Sequence, residues 1–339
     1  MIFKTAKTIN ITYIALISSI ISVALGTITA FLVSHFLSSK ELGIYFTINS
    51  ILILRVIIDS GYTSAIVSVV ATNKGFKNLS LVYNLSTKRF QSASIFAFLF
   101  LTTFFTFFFF DYLNNIGIVY LLTLSTLVSI NIYLMPKLAI IEGLGYLEEL
   151  YIYRIFTNLV SYILSWFVLI MGLGLLNIII YQTMIMIITI LFTKKQLNIK
   201  EQFEHTPNDY EVMSSSFKNF TNKITLSWIC SFSLNNGMVP FTFKFFSPEL
   251  SGQLGLVRSL LAAISMLSRE FIMVKRPLLG RYFSKKKYKD LFSTFCIAFL
   301  GSFFSYAALT IIISCILFIF DPFQIKSKIL PFDEYLLFA

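Results

Sequence analysis

From Ile9 to Phe36 the chain carries no charged side chain, and eight further stretches are almost as apolar. A helix crossing a bilayer needs about 20 mostly apolar residues. That ruler places nine candidate spans, at roughly 9–36, 42–72, 92–110, 115–136, 150–171, 174–193, 221–244, 249–273 and 291–320. The run Phe104-Phe105-Thr106-Phe107-Phe108-Phe109-Phe110 does not alternate as a barrel strand must. The longest polar stretch, Lys194 to Thr221, is too short for a domain of its own. Charged residues make up 13% of the chain, against about 25% in soluble proteins. A soluble enzyme, a nucleic-acid-binding domain and a disordered tail are therefore excluded. Lys4 and Lys7 before the first run resemble a secretory signal. The run is too long for a signal core and lacks a small-x-small cleavage site, so it reads as a retained first span. The expected class is an all-α polytopic integral membrane protein with about nine transmembrane helices.

The net charge of +11 is explained by topology. With the N-terminus cytoplasmic and nine alternating spans, twenty of the 27 lysines and arginines fall on the inside. They cluster at Lys4 and Lys7, between Lys74 and Arg89, at Lys137 and Arg154, between Lys194 and Lys223, and between Lys275 and Lys289. Lys40, Lys244, Lys326 and Lys328 fall outside, while Arg55, Arg258 and Arg269 lie within spans. This bias follows the positive-inside rule. It puts the N-terminus in the cytoplasm and calls for no nucleic-acid partner.

The chain also matches itself. Ser39, Glu41 and Leu42 align with Ser247, Glu249 and Leu250 at an offset of 208, and Gly43 aligns with Gly252 after one insertion. Both segments read as helix starts. Ser38 and Glu41 have capping-box spacing, and Ser247-Pro248 is an N-cap followed by proline at the first helical position. The offset covers six spans, an even number, so two parallel six-helix bundles are expected, related by an axis along the membrane normal. The first occupies 1–196, a cytoplasmic linker 197–218, and a partial second bundle of three helices 219–320, with a short periplasmic tail at 321–339. Three helices are missing from the second repeat on this count.

Ionisable groups inside a membrane are costly and usually face protein or water. Arg55 and Asp59 are spaced i,i+4 in the second span. They read either as a neutralising pair or as an arginine lining a polar cavity beside a responsive carboxylate. In the eighth span Ser251, Gly255, Ala262, Ser265 and Arg269 share an arc with Arg258, and Leu256, Leu260, Leu261 and Leu267 are assigned to the opposite one. The arginines are about 16 Å apart along the axis, a spacing that suits a cationic wall. Arg269 has a second reading, in which it reaches the interface and pairs with Glu270. Thr12, Ala15, Ser19, Ser22, Gly26 and Thr29 form an uncharged stripe suited to close helix packing. Asn235 and Asn236, before Gly237 and Pro240, mark a kink or a broken helix whose amides suit sugar hydroxyls. Cys230, Cys296 and Cys315 read as buried small apolar residues. No metal-ligand spacing, phosphate loop or catalytic triad is present in the sequence. Forked guanidinium donors bind phosphate and stay charged. The expected cargo is therefore a phosphate-bearing, membrane-located substrate that is moved without being chemically changed.

These residues carry a family resemblance. Leu42-Gly43-Ile44-Tyr45 leading to Asp59-Ser60-Gly61, with Ser227-Trp228, Phe245-Phe246, Gly252-Gln253-Leu254-Gly255-Leu256, Lys275-Arg276-Pro277 and Gly280, resembles polysaccharide (O-antigen, Wzx-type) flippases. These belong to the multidrug/oligosaccharidyl-lipid/polysaccharide exporter superfamily. The resemblance implies a cationic cavity between two six-helix bundles. It also implies translocation of undecaprenyl-pyrophosphate-linked oligosaccharides across a bacterial inner membrane, coupled to protons or sodium ions, with no other cofactor. Membrane lipids and other polysaccharide-assembly membrane proteins are the implied partners, and Arg55, Arg258 and Arg269 occupy the spans where such proteins place cavity arginines. Asp59-Ser60-Gly61 departs from the pattern, since a larger apolar residue usually precedes the glycine. The alternatives are a polytopic enzyme of polysaccharide assembly (a polymerase or acyltransferase), a drug or cation exporter of the same superfamily, and an inactive, shortened transporter.

Overall fold

The computed structural model describes residues 2–59, 61–72, 76–112, 117–197, 230, 232–233, 236–273, 275, 279, 282 and 286–319. Among them the chain is helical and no strand occurs. The helices are α1 (Ile2–Phe36), α2 (Ser39–Leu52), α3 (Arg55–Asp59), α4 (Tyr62–Thr72), α5 (Phe76–Phe109), α6 (Ile118–Gly143), α7 (Leu147–Ile170), α8 (Leu176–Gln196), α9 (Met238–Phe245), α10 (Pro248–Met273) and α11 (Tyr288–Ile319). Eight helical stretches among the described residues are long and apolar enough to cross a membrane. Half of the expected span at 221–244 lies outside the described residues, as do the 197–218 linker, apart from its first residue, and the tail after 320.

Three spans differ from their expected form. The second is broken into α2, α3 and α4. The third starts at Phe76, so Lys77, Lys88 and Arg89 belong to a helix where a loop was expected. At 34 residues that helix is about 51 Å long, well beyond the roughly 30 Å hydrocarbon core. The fourth continues through Pro136 to Gly143. Membrane-spanning helices tolerate an interior proline, since other groups can take up the freed carbonyl. Hydroxyls follow the same logic, since lipid offers no water. Ser125 donates to Leu121 O at 2.9 Å, Ser129 to Ser125 O at 2.7 Å and Thr193 to Thr189 O at 2.8 Å.

By contact the chain divides into two compact units, Lys40–Gly252 and Met1–Ser39 with Gln253–Ala339. In the first, α5 packs along α6, α4 also lies on α6, α7 packs along α8, and α6 reaches α8. The core is made by Ile48, Ile51, Ile66, Leu101, Phe105, Phe109, Leu121, Leu124, Ile132 and Ile140, all fully buried. The phenylalanine run is divided by helical periodicity. Phe105 and Phe109 point inward, Phe107 and Phe110 outward, and Phe96, Phe100, Phe104 and Phe108 form an i,i+4 column with centroids 4.9–5.8 Å apart. Phe96, Leu99, Ile163 and Phe167 are each more than half exposed, which suits a lipid-facing surface.

In the second unit α11 is accessible on most of its surface, and a Cβ built on Gly301 would lie 3.2 Å from the Phe271 ring of α10. The cysteines are not buried as expected: Cys230 and Cys315 are exposed and Cys296 is intermediate. Lipid is as apolar as a protein interior, so a small apolar residue gains little there by burial between helices.

The two self-similar segments meet. α2 begins directly after Ser38, the expected capping position. α10 begins after Ser247, whose Oγ accepts from Leu250 N at 3.2 Å, as an N-cap does. The helix starts cross at their glycines. A Cβ on Gly252 would lie 2.9 Å from Gly43 N, and a Cβ on Gly43 would collide with the Pro248 carbonyl. One turn on, Thr47 and Ser251, both fully buried, share a 3.0 Å hydroxyl hydrogen bond, and Ser251 Oγ also lies 3.0 Å from Val239 O.

Candidate functional site

The second span is broken where its charges lie. The ladder of α2 ends at Ile53 and Leu54, and Leu54 O then accepts from Ile57 N at 2.9 Å and Ile58 N at 3.2 Å to start α3. Gly61 has φ 72, a left-handed conformation that glycine adopts without steric cost. It separates α3 from α4. Non-helical backbone at membrane depth is tolerated where it is buried in protein or lines a water-filled cavity.

Arg55 and Asp59 are both half-buried. They stay on one short helix, yet among the described residues no ion pair joins them. Asp59 turns to the start of α4 instead. Its Oδ1 accepts from Thr63 N at 3.1 Å and its Oδ2 from Thr63 Oγ1 at 2.8 Å. The physical reason is the break at Gly61, which leaves the first amides of α4 without ladder partners. Asp59 feels Arg89 of α5 electrostatically, and the Arg89 guanidinium lies 4.6 Å from the Tyr62 ring centroid. Arg55 is within electrostatic reach of Tyr162 on α7.

Along α2 every residue from Leu42 to Leu52 is buried except Tyr45 and Asn49, which with Glu41 form a half-buried i, i+4, i+8 stripe. Tyr162 of α7 and Tyr181 of α8 are also half-buried. Their rings meet at a tilt of 49° with centroids 4.9 Å apart, and both couple electrostatically to Tyr45. Trp166 follows Tyr162 one turn on, at 6.5 Å. α7 has three distinct faces. Thr157, Ser161 and Ser165 are buried, Phe156, Ile163 and Phe167 are exposed, and Asn158, Tyr162 and Trp166 lie half-buried between them. From sequence none of these tyrosines is named as a site residue, Tyr45 entering only as part of the Leu42–Tyr45 signature. The available signal was the polar 41, 45, 49 spacing inside an otherwise apolar span.

On α10 the arc carrying the arginines is the accessible one. Arg258 is half-buried, and Ala262, Ser265 and Arg269 are exposed. Leu256, Leu260 and Ile264 on the far side are buried, whereas Leu261, assigned to that side from sequence, is 41% exposed. Leu261 stands only 60° from Arg258 at 100° per residue, so it belongs to the arginine arc. At the upper end of the arc Ser251 is fully buried in its bonds to Thr47 and Val239.

Asn235 lies outside the described residues. Asn236 stands in the turn before α9, where its backbone N–H donates to Phe232 O at 2.7 Å and Gly237 N donates to the same carbonyl at 3.0 Å. The helix is therefore interrupted here, as Asn-Gly ahead of Pro240 leads one to expect. His35 packs edge-on against Phe36. Among the described residues no group of three or more His, Cys, Asp or Glu is placed to hold a metal.

A solved structure shares this architecture. It is an inward-facing conformation of a multidrug resistance MATE family transporter of the MOP superfamily, with a TM-score of 0.62 at 12% identity. The match covers 94% of this chain and 75% of that one. The chain shares the fold of that structure. No family model matches the sequence, and no curated protein does. At 12% identity the likeness is one of fold. It bears out the all-α, multi-pass membrane class expected from the nine apolar runs.

Proposed function

We propose that this protein is a membrane transporter, not an enzyme, that moves an undecaprenyl-pyrophosphate-linked oligosaccharide from the cytoplasmic to the periplasmic face of a bacterial inner membrane. The step belongs to polysaccharide or O-antigen assembly. The observation that carries the reading is the accessible placement of Arg55 and Arg258 on membrane-spanning helices of a transporter fold. Arginine in an apolar span is retained at a cost of about 2.5–3.5 kcal/mol on insertion scales, and its forked donors match a pyrophosphate. A multidrug exporter of cationic compounds would place carboxylates where this chain places guanidinium groups. Proton or sodium coupling would drive the cycle, with membrane lipids and other polysaccharide-assembly proteins as partners.

The test is reconstitution. In proteoliposomes, a fluorescent undecaprenyl-pyrophosphate oligosaccharide should equilibrate between leaflets in the presence of the protein and respond to an imposed proton or sodium gradient. Translocation no faster than in protein-free vesicles would reject the reading.

The orientation proposal has its own readout. With the N-terminus in the cytoplasm, a reporter fused at Lys200 is active only as a cytoplasmic fusion, and one fused at Phe246 only as a periplasmic fusion. The same side for both would overturn the topology.

A further inference from the structure

The stripe on α2 is unusual for a membrane helix, because its accessible positions are its polar ones. Surface facing lipid elsewhere in the unit is apolar, as Phe156, Ile163 and Phe167 show. A polar stripe on a helix otherwise buried must face protein or a water-filled space. Tyr45 and Asn49 supply that stripe, the paired Tyr162 and Tyr181 of α7 and α8 lie within electrostatic reach of Tyr45, and Arg55 follows the stripe at its C-terminal end. We propose that Tyr45, Asn49, Tyr162 and Tyr181 form the docking surface for the sugar part of the transported lipid, with Arg55 taking the adjoining phosphate.

The chemistry fits a pyranose. Tyrosine offers a rigid ring that packs on the C–H face of a sugar and a hydroxyl that both donates and accepts. An asparagine amide presents a donor and an acceptor side by side, which suits vicinal hydroxyls. A positive charge at one end fixes the direction in which a sugar phosphate lies. The backbone on which Tyr45 and Asn49 sit is rigid: Asn49 Nδ2 donates to Tyr45 O at 2.9 Å, and every α2 neighbour of these two residues is packed.

The assignment depends on the transport reading, so the experiment separates the two. The chain has two tryptophans, and Trp228→Phe leaves Trp166, beside Tyr162, as the only one. Its emission is followed while purified protein is titrated with undecaprenyl-pyrophosphoryl-N-acetylglucosamine or with bare undecaprenyl pyrophosphate. The sugar-bearing lipid is expected to shift the emission and to bind about tenfold tighter than the bare lipid. Tyr45→Phe and Tyr162→Phe, which keep the ring and the packing, should each weaken the sugar-bearing lipid about fivefold, one neutral hydrogen bond, and leave the bare lipid unchanged. Equal affinity for both lipids, undisturbed by either substitution, overturns the sugar assignment and leaves pyrophosphate-lipid transport standing. Weaker binding of both lipids in the tyrosine variants marks a packing role and also overturns it. Binding of neither lipid overturns the docking surface and the transport reading together.

Discussion

Gly43→Leu should sharply lower the amount of folded protein in the membrane and its melting temperature. The first atom of the new side chain would already occupy the position of the Pro248 carbonyl, which is backbone and has no rotamer to yield. The start of α2 must then separate from the start of α10, and the buried hydrogen bond between Thr47 and Ser251 goes with it. Overpacking costs about 1–3 kcal/mol in ordinary cores, and two buried hydroxyls deprived of each other add about 1–3 kcal/mol more. Against a typical stability of about 5–15 kcal/mol that loss is severe. Gly252→Leu should do the same from the other side, since its Cβ would press on Gly43 N. Gly301→Ala is the matched control, because its Cβ would meet only the edge of the Phe271 ring, which can turn aside. Membrane abundance and the melting temperature in detergent check this. Wild-type values for Gly43→Leu would show that the two helix starts do not depend on close approach.

The second large effect concerns function without loss of fold. Arg258→Ala and Arg55→Ala should each abolish complementation of a flippase-deficient strain while membrane levels stay normal. Both side chains are partly accessible, and neither belongs to the buried core, so truncation should be structurally mild. A charge-assisted hydrogen bond is worth about 1.5–3 kcal/mol, which corresponds to a fall in transport of about tenfold or more per arginine. Lysine at either site should restore part of the activity, since it keeps the charge and loses the fork. Asp59→Asn is expected to be milder, because its carboxylate is engaged with Thr63 and an amide oxygen can still accept one of those bonds. Normal surface polysaccharide in both alanine variants would remove these arginines from the transport path.

Much of this architecture was legible from the chain. The apolar runs marked the spans because burial in lipid depends on composition and length, which are local properties. Ser247-Pro248 marked a helix start, and the Ser247 hydroxyl caps it as expected. The repeat between Ser39–Gly43 and Ser247–Gly252 was also visible. Errors arose where a local rule met a neighbour. The fourth span, expected to end at about 136, runs on through Pro136 to Gly143. Of the two readings of Arg55 and Asp59, the neutralising pair does not form, because the break at Gly61 gives the carboxylate backbone and hydroxyl donors instead.

By itself, then, the order of residues determined that this is an all-α, multi-pass membrane protein and where its long apolar helices run. Hydrophobicity and charge act on each segment whether or not the rest is folded. Only the tertiary structure decided that Gly43 and Gly252 touch, that from Leu42 to Leu52 only Tyr45 and Asn49 are not fully packed, and that Tyr162 and Tyr181 pair within electrostatic reach of Tyr45. Those facts depend on which helix lies against which. In lipid, where every apolar face is equally content, that choice is made by close packing and a few buried polar contacts between residues far apart in the chain.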